Sequence, residues 1–260
     1  MPGTIHVAID RAVATVTLDS PGKLNAIGVA MWCELRRAFE SFAGEAAVRC
    51  VVVRGAGGNF AAGADIEEFR EVRRDEASGR RFHLELLAPA LEAIRAAPQP
   101  VVAAIEGVCV GGGLEIAIAC DLRIAAEGAR FGAPVGRLGF PFALPELRPL
   151  LELVGPGVAA ELLLAGRLYD AQEALAKGLV QRVVAADGLA AAVEETVTGV
   201  LAGSPLAARL NKSQIRLLLA RGMLYTQTDL DASFAFFGSD DYREGVSAFL
   251  EKRPPRFTGK

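Results

Sequence analysis

Residues Val108 to Asp121 read VCVGGGLEIAIACD. Three consecutive glycines, Gly111, Gly112 and Gly113, open an apolar run in which Glu115 is the single charge before Asp121. Glycine loses more backbone entropy on folding than any other residue, so a triplet suits a place where another group must come close to the main chain. A second glycine-rich stretch, GAGGNFAAGADI, spans 55–66 and also follows a buried strand pattern. Such places expose free N–H groups, reinforced by the positive end of the following helix. Two of these groups converging on one point would hold a carbonyl oxygen while it gains negative charge. Glu115, in the first helical turn with its carboxylate kept ionised by the same dipole, would stand ready as a base. A plainer reading competes: the glycines permit tight helix–strand packing and Glu115 is a dipole partner. Phosphate binding is disfavoured. GVCVGGGLE lacks the GxGxxG order of a dinucleotide fold, and GAGGNFAAG lacks the Lys-Ser/Thr ending of a P-loop.

The elements that must position these groups follow from periodicity. AVATVTL (12–18) alternates and is β-branched, which predicts a half-buried strand. Met31, Leu35, Ala38, Phe39 and Phe42 recur at helical spacing, which predicts a helix from Val29 to Phe42. VRCVVVRG (48–55) and PVVAAIEG (100–107) read as buried strands, 78–97 as one long amphipathic helix ended by PQP, and DLRIAA (121–126) as a strand. After Pro145 the pattern turns helical: ELRPLLELVG, VAAELLLAGR, DAQEALAKGL, LAAAVEETVTGVLAG, SPLAARLNKSQIRLLLA and the segment from Met223 to Phe237. An α/β core with a mostly α-helical C-terminal region is expected, divided as 1–200 and 201–260.

Composition narrows the function class. The chain has 260 residues, 52% of them hydrophobic, and a net charge of −3 without a basic run, so a full core is expected and nucleic-acid binding is not. Cys33, Cys50, Cys109 and Cys120 show no CxxC spacing and suit free thiols in a reducing compartment; no metal site is expected. Asp10 and Arg11 interrupt the N-terminal segment where a signal peptide needs its apolar region, and no apolar run reaches membrane-spanning length. A cytoplasmic protein with no membrane partner is the expectation.

Taken together, several segments resemble the enoyl-CoA hydratase/isomerase (crotonase) family over nearly the whole chain. They are NFAAGADI (59–66), PQPVVAAIEGVCVGGGLEIAIACDLRIAAEGARFGAP (98–134), GLV (178–180) and DDYREGVSAFLEKRPPRF (240–257). The resemblance implies a crotonase-like spiral of ββα units in two roughly perpendicular sheets, with C-terminal helices that assemble homotrimers or dimers of trimers. By position it implies that Ala64 and Gly112 supply the oxyanion amides and that Glu115 matches the first of two hydratase glutamates. It implies that Ala62, Ala64 and Ile66 meet the adenine end of coenzyme A. Phe249 and Lys252 match C-terminal residues that meet the CoA nucleotide, often from a neighbouring subunit. No cofactor is implied beyond coenzyme A as part of the substrate.

One departure bears on the chemistry. The second hydratase glutamate should follow the proline of FGxPE, but the chain reads FGAPVGRLG and places Val135 there. Valine neither donates nor accepts a proton, and the base of a one-base isomerase belongs at the same position. Positioned acid–base groups contribute roughly 10²–10⁴-fold in rate, so full hydratase activity is questioned. Glu67 stands where some hydratases carry a lysine toward the CoA phosphates. FPFALPELRPLL (140–151) replaces a glycine-rich run and predicts a more apolar acyl pocket. Within that segment Glu146 is a candidate substitute acid, against the plainer reading of a helix-start residue after Pro145. Arg137 reads as a surface arginine that has a chance of pairing with Glu115 or a substrate carboxylate. His83 reads as structural or exposed, and His6 has nothing to single it out. The functional expectation is an acyl-CoA thioester enzyme of hydratase type, a lyase of fatty acid metabolism, that stabilises an enolate and uses Glu115 as the acid/base. The alternatives are an enoyl-CoA isomerase, an acyl-CoA decarboxylase and a non-catalytic long-chain acyl-CoA binding protein.

Overall fold

The computed structural model describes residues 3–260. Strand β1 (Thr4–Asp10) pairs antiparallel with β2 (Val13–Asp19), and the chain then crosses through helix α1 (Val29–Phe42) to β3 (Cys50–Gly55). A loop leads to the short helix α2 (Phe69–Val72), followed by α3 (Glu76–Arg81) and α4 (Ala88–Ala96). Strands β4 (Val101–Ile105) and β5 (Val108–Val110) flank Gly107, and helix α5 (Gly112–Ala119) follows at once. Next come β6 (Leu122–Ala126), β7 (Arg130–Gly132), α6 (Leu144–Leu163), β8 (Leu168–Asp170), α7 (Ala171–Ala176) and β9 (Arg182–Val184). Four helices close the chain: α8 (Leu189–Ala202), α9 (Pro205–Ala220), α10 (Gln227–Ser233) and α11 (Asp240–Leu250).

The strands form a six-stranded sheet in the order β1-β2-β3-β4-β6-β9 and a three-stranded sheet in the order β5-β7-β8. Beyond the first hairpin the large sheet is parallel. Its inner strands are buried on both faces, which explains why CVVV and VVAAI read as apolar runs and not as alternating patterns. The small sheet escaped sequence reading because strands of three residues are too short to show a period.

Helix α1 has the predicted bounds, because Met31, Trp32, Leu35, Phe39 and Phe42 bury one stripe at helical spacing. The predicted helix over 78–97 differs in detail. It starts earlier, where Asp75 and Ser78 form a reciprocal cap, and it widens into a π-helical turn over Phe82–Leu87 before α4. Pro89 has no N–H to continue the normal ladder, and a wide turn absorbs the missing bond. The segment 223–237 is α-helical only over α10, with a 3-10 turn from Ala235 after it, and Met223 (φ 69°) turns the chain sharply before it. Gly155 (φ 72°) breaks α6 into the two short helices expected from its sequence.

The C-terminal helices are tied to the core through Lys212 on α9. Its ammonium donates to the Gln99 carbonyl at 2.9 Å and to Asp121 Oδ2 at 2.7 Å. The same Asp121 oxygen accepts the Val101 N–H at 2.7 Å, so one carboxylate links α9 to the start of β4. Among the described residues no helix is long and apolar enough to cross a membrane, no cluster of side chains could hold a metal ion, and all four cysteines are free, with Cys33 half-buried and the others buried.

Candidate active site

The two glycine-rich stretches meet at one place. The loop carrying Ala64 is bonded to its neighbours on both sides. Ile27 donates to the Gly63 carbonyl at 2.7 Å, and Asp65 donates to the Ile27 carbonyl at 3.0 Å. On the other side Ala61 donates to Val108 O at 2.9 Å, and Val110 donates to Ala61 O at 3.1 Å. This alternation leaves the N–H of Ala64 without a protein partner among the described residues. The N–H of Gly112, the first residue of α5, is equally free, because the first turn of a helix has no acceptor for its donors.

Glycine is required on both sides of this junction. Gly63 has φ +105°, a backbone conformation that L side chains rarely adopt, and a methyl group on it would press on the Val110 carbonyl oxygen at 3.3 Å. A methyl group on Gly113 would sit 2.3 Å from the Ala61 carbonyl oxygen, closer than contact allows. The two amide-bearing segments therefore lie side by side only because side chains are missing between them. Gly111 donates to the Gly132 carbonyl at 2.9 Å, which fastens the glycine triplet to β7.

Other residues hold the loop in place. Asn25 (φ 59°) is buried; its amide donates to the carbonyls of Ala56 and Asn59, both at 2.8 Å, and its oxygen accepts from Ser20 N–H at 3.1 Å. Glu68 caps the bare N-terminus of α1 by accepting the Val29 N–H at 2.7 Å. Glu67 is exposed and pairs with Lys23 at 2.6 Å, while Lys23 also reaches Asp65 at 2.7 Å. A lysine thus stands beside this segment, supplied by the SPGKLNA turn.

A cavity of about 290 Å³ opens on the free amides. Ala62, Ala64, Ile66, Gly112, Glu115 and Val135 are among the residues that line it, so five of the sequence-derived site residues and the valine departure share one wall system. Arg137 also lines it, exposed at the mouth, and makes no ion pair with Glu115. Phe249 and Lys252 are elsewhere in the single chain. Phe249 is 83% exposed beside a groove between α9 and α11, and Lys252 is exposed just beyond α11.

Glu115 departs from expectation in its ionisation. Every residue of α5 is buried, and Glu115 is 6% exposed. Burial pushes its carboxyl up to about 8; the Glu146 carboxylate adds to the rise and Arg73 opposes it. The helix dipole that was expected to keep the group ionised is outweighed, since losing water costs a carboxylate more than the first turn of an eight-residue helix returns. At neutral pH the protonated form predominates.

Glu146 stands at the helix start, as the plainer reading of its position expects. Its Oε2 accepts the Ala143 N–H at 2.9 Å, capping α6 as a helix-start residue does. It is also 1% exposed, its Oε1 lies 2.7 Å from His83 Nδ1, and its charge acts on Glu115. It does not line the cavity. His83 is therefore structural, not free. The residue that sequence reading missed is Arg73, just past α2. Its guanidinium carbon lies 4.1, 4.8 and 4.5 Å from the ring centroids of Phe69, Phe82 and Phe140, and it lines the cavity with Glu115. Burial lowers its pKa, while Glu115 and Glu146 act in the other direction. The available signal was Phe69 and Arg73 at i,i+4 spacing inside FREVRR, which is hard to separate from an ordinary solvated charge run.

An α/β chain in which two free backbone amides and one buried carboxylic acid share a cavity has the equipment to polarise a carbonyl and move a proton beside it. The family model described as enoyl-CoA hydratase/isomerase matches residues 8–260. A probable enoyl-CoA hydratase of Mycobacterium bovis is 35% identical over 98% of both chains, and a short-chain-enoyl-CoA hydratase of Clostridium acetobutylicum is 35% identical over 93% of this chain and 92% of its own. Among solved structures, an enoyl-CoA hydratase/carnithine racemase from Magnetospirillum magneticum superposes with a TM-score of 0.96 at 42% identity, covering 99% of this chain and 96% of that one. A putative enoyl-CoA hydratase/isomerase family protein from Hyphomonas neptunium gives 0.92 at 35% identity, over 98% of each chain. The chain belongs to the enoyl-CoA hydratase/isomerase family and has the crotonase fold.

Proposed function

We propose that the protein adds water to a 2-enoyl-CoA thioester, with Glu115 as its single acid/base and the amides of Ala64 and Gly112 as its oxyanion hole. The observation that carries this reading is the pairing of two unpartnered amides with a buried carboxyl whose pKa is raised to about 8, all on one cavity. The thioester oxygen accepts both N–H groups. Ionised Glu115 takes a proton from water as the water oxygen bonds to the β-carbon, and the C=C electrons move to the α-carbon and the thioester oxygen. Protonated Glu115 then returns that proton to the α-carbon. One carboxyl completes the cycle, so Val135 removes a helper and not a required participant. Ala62, Ala64 and Ile66 lie on the path of the CoA moiety in this reading. Phe249 and Lys252 belong to its nucleotide end across a subunit boundary, in a homotrimer or dimer of trimers; the exposed Leu224, Phe234, Phe237 and Leu250 are apolar surface that such assembly would cover.

The test is conversion of 2-enoyl-CoA thioesters by the purified protein, with the 3-hydroxyacyl product identified. Because the ionised form of Glu115 starts the cycle, kcat/KM should rise with pH and reach half its plateau near pH 8. A profile that falls through the same pH would make Glu115 an acid in the free enzyme and overturn this order of steps. Protonated Glu115 is also the form the fold prefers, so stability should fall as pH rises from the ordinary carboxyl value of about 4.5 and level off above about 8.

Val135 favours a second reading, in which proton transfer at one carbon suffices: decarboxylation of a malonyl-type thioester, whose enolate takes up one proton at the α-carbon as CO2 leaves. That substrate being consumed in place of the 2-enoyl thioester would select it.

A further inference from the structure

Arg73 is a cation without a carboxylate partner among the described residues. Its Nε and Nη1 are buried and donate to nothing. Three phenyl rings, from Phe69, Phe82 and Phe140, hold the guanidinium within cation–π range. The rings fix its plane but accept no conventional hydrogen bond, and a buried donor left unmade is costly. The two nearby acids do not meet that need. Glu146 uses its oxygens on His83 and on the Ala143 N–H, and Glu115 makes no hydrogen bond to Arg73. Arg73 nevertheless lines the cavity that contains Glu115 and both free amides. It lines an adjoining cleft as well, shared with Phe69, His83, Leu138 and Phe140, so it stands where the acyl end of a thioester held at Ala64 and Gly112 would lead.

Extending the proposed thioester reading, on which it rests, we infer that Arg73 is a specificity residue that receives a carboxylate on the acyl chain, and that the preferred substrate is a CoA monothioester of an unsaturated dicarboxylic acid. A guanidinium is the side chain best suited to a carboxylate, being planar, permanently charged and armed with several donors. A plain alkyl chain would bury those donors without satisfying them, which is how polar sites reject apolar substrates.

The experiment compares two 2-enoyl-CoA thioesters of equal carbon number, one ending in a carboxylate and one in a methyl group, with the parent enzyme, Arg73→Met and Arg73→Lys. Methionine keeps apolar contact with the three rings, and lysine keeps the charge; melting temperatures verify folding. The parent should prefer the acidic thioester in kcat/KM by about 10- to 100-fold, the range of one charged hydrogen-bonding contact. Arg73→Met should bring that ratio to about one, and Arg73→Lys should restore part of it. Arg73 also acts on the ionisation of Glu115, but both substrates share that effect and the ratio cancels it. Calorimetry with the saturated forms of the same two thioesters reads the preference without turnover. A parent enzyme that favours the methyl-ended thioester, or a ratio unmoved in Arg73→Met, overturns the inference while leaving the thioester reading intact. Absence of turnover combined with Arg73-dependent tighter binding of the acidic form removes the proposed hydration and leaves the inference standing. Absence of both removes both.

Discussion

Glu115→Gln is expected to lower kcat/KM on the enoyl thioester by roughly 10²–10⁴-fold, the usual contribution of a positioned acid–base group. Glutamine is nearly isosteric and fills the same space in a helix whose residues are all buried, so packing is kept. The variant should melt no lower than the parent, with a margin that widens as pH rises from about 4.5 to about 8, because it no longer carries a carboxyl that the fold disfavours when ionised. The alkaline rise in kcat/KM should disappear with the activity. Steady-state kinetics and melting curves across pH read all three outcomes. Parental turnover by Glu115→Gln would show that the proton moves through another group.

Replacing the Gly112 amide N–H by an ester oxygen should cost about 10²–10³-fold in kcat, the effect of losing one oxyanion donor. This N–H has no protein partner, so its removal breaks no internal hydrogen bond; the ester only weakens the Gly111 carbonyl as acceptor of the Glu115 N–H at 3.0 Å, and the melting temperature should fall slightly. KM should change less than kcat, since the donor matters most when the oxygen carries negative charge. Gly113→Ala provides a contrast at the next residue. Its methyl group would press on the Ala61 carbonyl at 2.3 Å, force α5 away from the Ala64 loop, and lower both kcat and stability. A Gly112 ester that turns over at the parental rate would remove this amide from the chemistry.

Much of this site was legible without coordinates because it depends on local rules. Glycines between a strand and a helix announce free amides and Glu115 stands in the first helical turn, while Ala64 and Gly112 are singled out by position through the family resemblance. Val135 was equally plain, since a missing carboxylate is a matter of residue type. Helix α1 kept its bounds because its apolar stripe is strongly periodic. The features that were not legible all depend on long-range encounters. His83 and Glu146 are 63 residues apart yet share a hydrogen bond. Arg73 meets Phe140 across a comparable separation, and its own neighbourhood in sequence looks like a charged surface. Asn25 sits in a turn whose composition discloses nothing of the loop that it braces.

The amino-acid sequence alone determined the alternation of strands and helices, the two places where the backbone must be bare, and the lone carboxyl among apolar neighbours. These follow from steric freedom, periodicity and side-chain chemistry, each a property of residues close together in the chain. The tertiary structure decided how that carboxyl ionises. The dipole of its own helix favours the anion, but burial and the Glu146 charge favour the neutral acid, and these prevail because solvation is lost only once the whole fold closes around the group. It also decided where the ring-bound cation of the cavity stands, since only packing brings three phenyl rings around Arg73.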